Sequence, residues 1–373
     1  MIANSVFFPQ NDEGNNPYQK ELSNALNKTS ITVTGLSYRI FFLLDVIMLP
    51  KPTVLHLHWL HSFLTRTTYI KSLISSAIFL LQLLILRVLG VEIVWTVHNL
   101  KNHDNKFLGL ERVCRSLVAK ICHSLIVHCD AVKVDVLKTL DLKDSNKIHA
   151  VPHGNYIGSY QNSISRESAR NALNLTNSGT TFLFLGLIRP YKGVPELMDA
   201  FSAINNLENA HLLIAGKVWG EDKSFRTLID KKVENISNVT LVPEFIPDED
   251  LQLYFNACDV VVFPYKDILT SGAILLAMSF GKACIAPQIG CICDTLDNDG
   301  SFLYDPQSPH GLSNSIELAI NSKSNLRKMG QHNLHLAKQN GWSRIASMTL
   351  DIYQHNQNID SQKPVSGSLA DKS

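Results

Sequence analysis

The sequence predicts a two-domain α/β protein built on doubly wound parallel sheets, and three features of the 373-residue chain carry that expectation. Short apolar runs rich in Val, Ile and Phe alternate with longer helical patterns from end to end, as parallel strands joined by crossover helices do. A hydrophobic content of 45% over this length is enough for two ordinary cores. Near the middle, 159–166 is polar and uniform and 171–179 carries little apolar pattern, so the domains are expected at 1–165 and 166–341.

In chain order, strands are expected at 5–8, 31–34, 54–57, 92–97, 124–128 and 148–151 in the first half. The second half repeats the pattern at 181–185, 211–215, 239–242, 260–263, 283–286 and 302–303. A last apolar helix begins at Trp342, and the Gln-, Asn- and Ser-rich tail, 357–373, is expected to be disordered.

A formal net charge of +1, with no arginine-rich or aromatic-basic cluster, gives no case for nucleic acid. The seven cysteines form no paired framework, and no cleavable signal pattern stands at 1–8, so a reducing cytoplasm is the expected compartment. Cys291 and Cys293 make a lone Cys-x-Cys with no second pair, which argues against zinc. Charge is uneven: from Val46 to Val91 there is no Asp or Glu, while Lys51, Arg66, Lys71 and Arg87 are all basic. Within that stretch, the apolar run 73–86 is 14 residues long and holds Gln82, short of the ~20 residues that span a bilayer. It reads either as a buried core helix or as an apolar face with a basic rim, resting on an anionic membrane surface.

Chemistry is concentrated at strand ends. The run 182–201 ends a strand at Gly186, carries Arg189 and Lys192 in a loop, and opens a helix near Pro195. Two cations beside a helix N-terminus make a clamp for a diphosphate. The run 257–287 is a buried strand, a polar loop with Thr270, Ser271 and Gly272, a helix and a second buried strand, again a place for an anion. Strand alternation puts His56 and His58 on one face, but no Cys or acid lies near enough in sequence to complete a metal site. A wall of a binding cleft, with Trp59 as a stacking plane, fits better. The strand 92–97 delivers His98 and Asn99 to its C-terminal end, with His103 and Asp104 following, and 151–156 ends the last strand of the first half with His153 and Gly154. Asp248, Glu249 and Asp250 precede a helix and are expected to cap it, and Asp297-Asn298-Asp299-Gly300 reads as a turn.

These segments resemble the GT-B-fold glycosyltransferases of group 1, enzymes with two Rossmann-like domains facing a cleft. The resemblance is firm over 180–290 and loose elsewhere. It implies an N-terminal acceptor-binding domain, with the C-terminal helix 342–356 packing back on it, and a C-terminal donor-binding domain. It also implies that Gly186, Arg189, Lys192, Tyr265, Thr270, Ser271 and Gly272 bind the donor, with backbone near Phe245 and Ile246 at the nucleotide base. His98 would face the donor sugar, and His58, Trp59, Asn99, His153 and Gly154 would line the cleft. The sequence departs from the retaining pattern, because Ile268 and Leu276 stand where such members carry two glutamates. An inverting enzyme needs a general base, for which His98, His103 and Asp104 are the candidates; His98 could equally only position the sugar.

The function expected from this resemblance is transfer of a hexose from a nucleoside-diphosphate sugar to a saccharide acceptor, one carried on lipid, in cell-surface polysaccharide synthesis. No metal or other cofactor is expected, since cations and the helix dipole stabilise the leaving diphosphate. The location expected is cytoplasmic, peripheral on the inner face of the plasma membrane. The alternative is a catalytically degenerate paralogue that binds sugar nucleotide as a partner subunit. A nicotinamide oxidoreductase would want Gly-x-Gly-x-x-Gly after the first strand, where Phe8-Pro9-Gln10-Asn11-Asp12-Glu13-Gly14 stands instead.

Overall fold

The computed structural model describes residues 4–10, 17–37, 39–51, 53–101, 106–175, 179–204, 207–219 and 223–361. Its strands form two six-stranded sheets, every pairing parallel. The first contains β1 (Asn4–Gln10), β2 (Thr32–Ser37), β3 (Thr53–Leu57), β4 (Glu92–Thr96), β5 (Ser124–Val127) and β6 (Ile148–Ala150). The second contains β7 (Thr180–Leu185), β8 (Ala210–Ala215), β9 (Val239–Val242), β10 (Val260–Val262), β11 (Ala283–Pro287) and β12 (Ser301–Tyr304). Each expected strand is present and differs only at its ends. The physical reason is visible at β3, β4 and β5, whose residues are buried throughout: parallel strands covered on both faces read as unbroken apolar runs.

Strand order fixes where ligands can sit. The first sheet runs β2-β1-β3-β4-β5-β6, so its order reverses between β1 and β3. The second runs β12-β11-β10-β7-β8-β9, reversing between β7 and β10. In open α/β sheets the loops at the carboxyl ends of such neighbouring strands diverge and leave a crevice.

Two compact units follow from the packing: residues 1–127, 133–151 and 343–373, and residues 128–132 with 152–342. Residues 152–165 therefore pack with the second unit rather than the first. The C-terminal helix, Trp342–Ser361, belongs with the first from Ser343 onward, where the Tyr353 hydroxyl meets His56 Nδ1 at 2.6 Å. That helix continues through Ser361, so the expected disorder from 357 does not hold for 357–361; 362–373 lie outside the described residues.

Two further expectations are corrected. A disulfide joins Cys129 to Cys291, 162 residues apart, within the second unit. The absence of local spacing hid a pairing that only the fold brings together. The apolar run taken as 14 residues is a 20-residue helix, Tyr69–Val88, capped by Thr68, whose side chain accepts from Lys71 N.

The helix Leu108–Ile121 carries a buried ion pair. Arg115 Nε and Nη2 both lie 2.8 Å from Glu111 Oε1, and Arg115 Nη1 donates to the Asn99 carbonyl at 3.1 Å. Each side chain of the pair is 2% exposed. Arg115→Ala is therefore predicted to destabilise the first unit by about 3–5 kcal/mol, because Glu111 is left charged and unpaired in the interior. Urea unfolding followed by circular dichroism measures it; a loss within experimental error would contradict the assignment.

Candidate active site

In the second unit the loops after β7 and β10 are locked together at the switch point. Gly186 leaves β7 with φ +133°, and the Lys192 ammonium stands 3.3 Å from where a Cβ at 186 would be. Arg189 leads into a 3-10 turn, Pro190–Lys192, and Gly193 closes it at φ +70°. A side chain at 193 would collide with the Pro264 carbonyl oxygen, so only glycine allows this approach. Lys266 N donates to Tyr191 O at 2.9 Å, and the Lys266 ammonium pairs with Glu196 at 2.5 Å.

Lys192 is the cation of this loop that burial affects most. Lys192 is half-buried, and among the described residues no carboxylate pairs with it. Burial first, then the Arg189 charge, pushes its ammonium from 10.5 down to about 8. Arg189 lies 4.7 Å over the Trp219 ring. Trp219 is brought there because backbone pairing runs on past β7 and β8: Ile188 N donates to Lys217 O, and Trp219 N to Ile188 O. Sequence reasoning passed over this tryptophan, although a lone indole four residues past a strand end was the available signal.

The helix Gly272–Ser279 follows the loop that leaves β10. Ser271 Oγ accepts from Ile274 N at 3.4 Å and lies 3.4 Å from the Tyr265 hydroxyl. Ser271 is thus a buried cap, and Tyr265, 3% exposed with burial pushing its hydroxyl up, supports that cap from the core rather than standing open to a ligand. What the helix leaves for an anion is its first-turn N–H groups, at Gly272 and Ala273. Thr270 is half-buried in the same loop, which is fastened where Cys291 N donates to Leu269 O.

His153 and Gly154, expected on the acceptor side, belong to the second unit. A Cβ at Gly272 would stand 3.2 Å from the Tyr156 hydroxyl and 3.6 Å from His153 Nε2. His153 Nδ1 donates to the Gly154 carbonyl at 2.7 Å, and burial holds its ring down to about 4, so a neutral imidazole sits by the helix start. Gly154 leaves room for the Trp342 ring, 2.5 Å from its missing Cβ, and Trp342 Nε1 donates to Asn155 O. After β9, Phe245 is 52% exposed and Ile246 half-buried. Ile268 and Leu276 pack against the second unit's core. Asp250 occupies the N-cap position of the helix Leu251–Ala257 but makes no side-chain cap bond, contrary to the capping expected.

In the first unit the carboxyl ends of β3 and β4 bring four rings together. His58 Nδ1 lies 3.1 Å from His98 Nε2, Trp59 stacks on His98 at 4.3 Å and 11°, and Tyr18 meets His98 edge-on at 4.9 Å. His56 and His58 do share a face, stacked at 4.4 Å. Burial pushes His56 down to about 3. His58 is 1% exposed, so it is no wall of a cleft; it braces His98. Trp59 has one ring face taken by His98. Trp95 Nε1 donates to the His58 carbonyl, and the Asn99 backbone is held by Arg115. His103 and Asp104 lie outside the described residues.

Comparison with known proteins gives these features a context. Residues 165–334 match the family model "Glycosyl transferases group 1". Over 268 residues, 71% of this chain and 70% of the relative, the chain is 26% identical to a GDP-mannose:glycolipid 4-beta-D-mannosyltransferase of Xanthomonas campestris pv. campestris. Over 184 residues, 47% of this chain and 48% of the relative, it is 26% identical to a lipopolysaccharide 1,2-N-acetylglucosaminetransferase of Salmonella typhimurium. Among solved structures, sucrose-phosphate synthase from Thermosynechococcus elongatus superposes with a TM-score of 0.73 at 18% identity, covering 97% of this chain and 100% of that one. HepE of Anabaena in complex with UDP and glucose gives 0.72 at 14% identity, covering 95% and 100%.

The depressed Lys192 ammonium makes a stability prediction with a definite sign. Its folded-state value, about 8, lies below the ordinary 10.5, so the charged amine costs stability in full below pH 8. That cost fades as pH rises through the window between the two values. Lys192→Met should melt roughly 2 °C higher than the parent near pH 7, and the gap should close by pH 10.5. Calorimetric scans across pH check this; a variant less stable at pH 7 would contradict it.

Proposed function

We propose that this chain, whose residues 165–334 match the group 1 glycosyltransferase model and whose fold is that of GT-B enzymes, moves a hexose from a nucleoside-diphosphate sugar to a lipid-linked saccharide in cell-surface polysaccharide synthesis. The observation that carries the donor reading is the Lys192 ammonium, held beside Arg189 at the switch point without a paired carboxylate among the described residues. A diphosphate supplies the missing negative charge. The HepE structure with UDP and glucose supports the choice of nucleotide sugar, and the relative named for a glycolipid supports a lipid-linked acceptor.

The reaction is displacement at the anomeric carbon. The bond from that carbon to the diphosphate oxygen breaks, and the bond to the acceptor oxygen forms. Charge growing on the diphosphate is met by Arg189, Lys192 and the N–H groups at Gly272 and Ala273, so this chain's own cations do what a metal ion does elsewhere. Ile268 and Leu276 cannot hydrogen-bond a sugar hydroxyl, which favours inversion. The Xanthomonas relative's name specifies a β-linked product. Inversion needs a base for the acceptor hydroxyl, and His98, oriented by Trp59, Tyr18 and His58, is assigned that role.

Binding of nucleoside diphosphates by titration calorimetry tests the donor half. Lys192→Ala should weaken binding of the accepted diphosphate about tenfold or more, and chelator should leave it unchanged; equal affinity in the variant would remove the clamp. His98→Ala should lower kcat by roughly 10²–10⁴-fold with the donor Kd unchanged. A variant that loses donor affinity instead would make His98 a sugar-positioning residue. Turnover is followed with a panel of labelled nucleotide sugars and membrane acceptors.

A further inference from the structure

The helix Tyr69–Val88 is built inside out. Its buried face holds Ser72, Ser75, Ser76 and Gln82 beside Phe79, Leu83 and Leu86. Its outer face is Ile70, Leu73, Ile74, Leu81, Leu84 and Val88, from 47% to 87% exposed. An ordinary surface helix turns its apolar stripe inward and its polar residues to water. Here the inward polar groups are all used. Arg66 N donates to Ser72 Oγ, Arg66 Nε to Ser75 Oγ, and Ser76 Oγ to the Leu64 carbonyl.

Gln82, the residue that argued against a membrane span in the sequence, is the anchor of a second element. Its Oε1 accepts from Phe42 N at 2.8 Å and Leu43 N at 3.1 Å, and its Nε2 donates to the Ile40 carbonyl at 2.8 Å. Phe42 is thereby buried at 1% while its neighbours Phe41, Leu44 and Met48 stand out at 72%, 67% and 83% exposure. A short helix, Leu43–Ile47, packs against the longer one and carries these side chains with it.

Charge at the rim has one dominant sign. Lys51, Lys71 and Arg87 are exposed, and no acid occurs from Val46 to Val91. Asp45, on the short helix that packs here, is paired with Arg39 at 3.6 Å. At the other end, Tyr69 touches Phe107, and next to it an open cavity of about 420 Å³ is lined by Leu108 with Lys101, Arg112 and Lys138; its one carboxylate, Glu111, is already paired with Arg115.

We propose that the outer face of Tyr69–Val88 and the Phe41–Leu44–Met48 prong together form a monotopic docking surface for an anionic bilayer. The helix is long enough to cross a membrane, but its opposite face is committed to the fold through Gln82 and the three serines, so it lies in the interface instead of spanning. The occupant is a lipid surface rather than protein because the apolar face is ringed by cations, which anionic headgroups neutralise. This deepens the lipid-linked-acceptor reading, on which its biological meaning rests, while its physical basis is independent of the donor site.

The test is flotation of the full chain with vesicles of phosphatidylcholine alone and of phosphatidylcholine with phosphatidylglycerol. Wild type should float with the anionic vesicles, and alkaline carbonate should release it. The triple variant Phe41→Ser, Leu44→Ser, Met48→Ser should float at least about tenfold less, while keeping its melting temperature and its affinity for a nucleoside diphosphate. These side chains are already exposed, so the variant folds; Leu81→Ser with Leu84→Ser probes the helix face separately. The proposal is overturned if wild type ignores anionic vesicles, if the triple variant floats as well as wild type, or if carbonate fails to release the protein. It is also overturned if sedimentation shows a dimer that the variants abolish, with no vesicle binding by either form. Loss of diphosphate binding in wild type would instead defeat the donor reading and leave this surface standing.

Discussion

An uncompensated positive charge at the carboxyl edge of the second sheet is the constraint around which this unit is organised. Lys192 is held beside Arg189, half-buried, at a cost in desolvation and like-charge repulsion that pushes its ammonium down to about 8. Packing has to enforce such an arrangement. Gly193 lets the turn press against Pro264, Lys266 ties the two loops through Tyr191 and Glu196, and Gly186 clears space for the ammonium. Each of these would be an odd investment for a surface loop, and each is intelligible where an anion completes the charge balance.

The first unit shows a different economy. At the ends of β3 and β4, buried polar side chains are aligned into a stack from His56 through His58 to His98, closed by Trp59. His56 is fixed at one nitrogen by Thr96 and at the other by Tyr353 from the C-terminal helix. His98, half-buried at the end of this stack, is held in one orientation by the fold. On the outside of the same unit, polar groups turn inward and apolar ones outward along Tyr69–Val88. Both features follow from polar groups being satisfied by the fold first.

Much of the architecture was legible because its strands are buried on both faces and announce themselves as apolar runs. The loop carrying Arg189 and Lys192 was legible as a strand-end loop at the switch point, because an apolar run stops at Gly186 and the two cations follow it. What escaped sequence reasoning depends on distant partners. Alternation correctly paired His56 with His58, yet their burial is decided by Tyr353, 297 residues away in sequence from His56. Cys129 finds Cys291 only across 162 residues. Trp219 was passed over because the backbone pairing that brings it onto Arg189 extends beyond the strands themselves. Tyr265 and Ser271 were read as ligand contacts, whereas Ser271 caps the helix and Tyr265 is buried beside it, since a hydroxyl at a helix start serves the helix's own N–H groups first.

The most direct measurement of the central claim is the number of protons taken up when the chain binds a nucleoside diphosphate. Titration calorimetry near pH 8.5 in buffers of different ionisation enthalpy reads this number without any substitution. A neutral amine at Lys192 should acquire its proton as the diphosphate arrives, giving uptake of up to about three-quarters of a proton at that pH and falling toward none near pH 7. Binding with no proton uptake at either pH would mean that the Lys192 ammonium does not face the diphosphate.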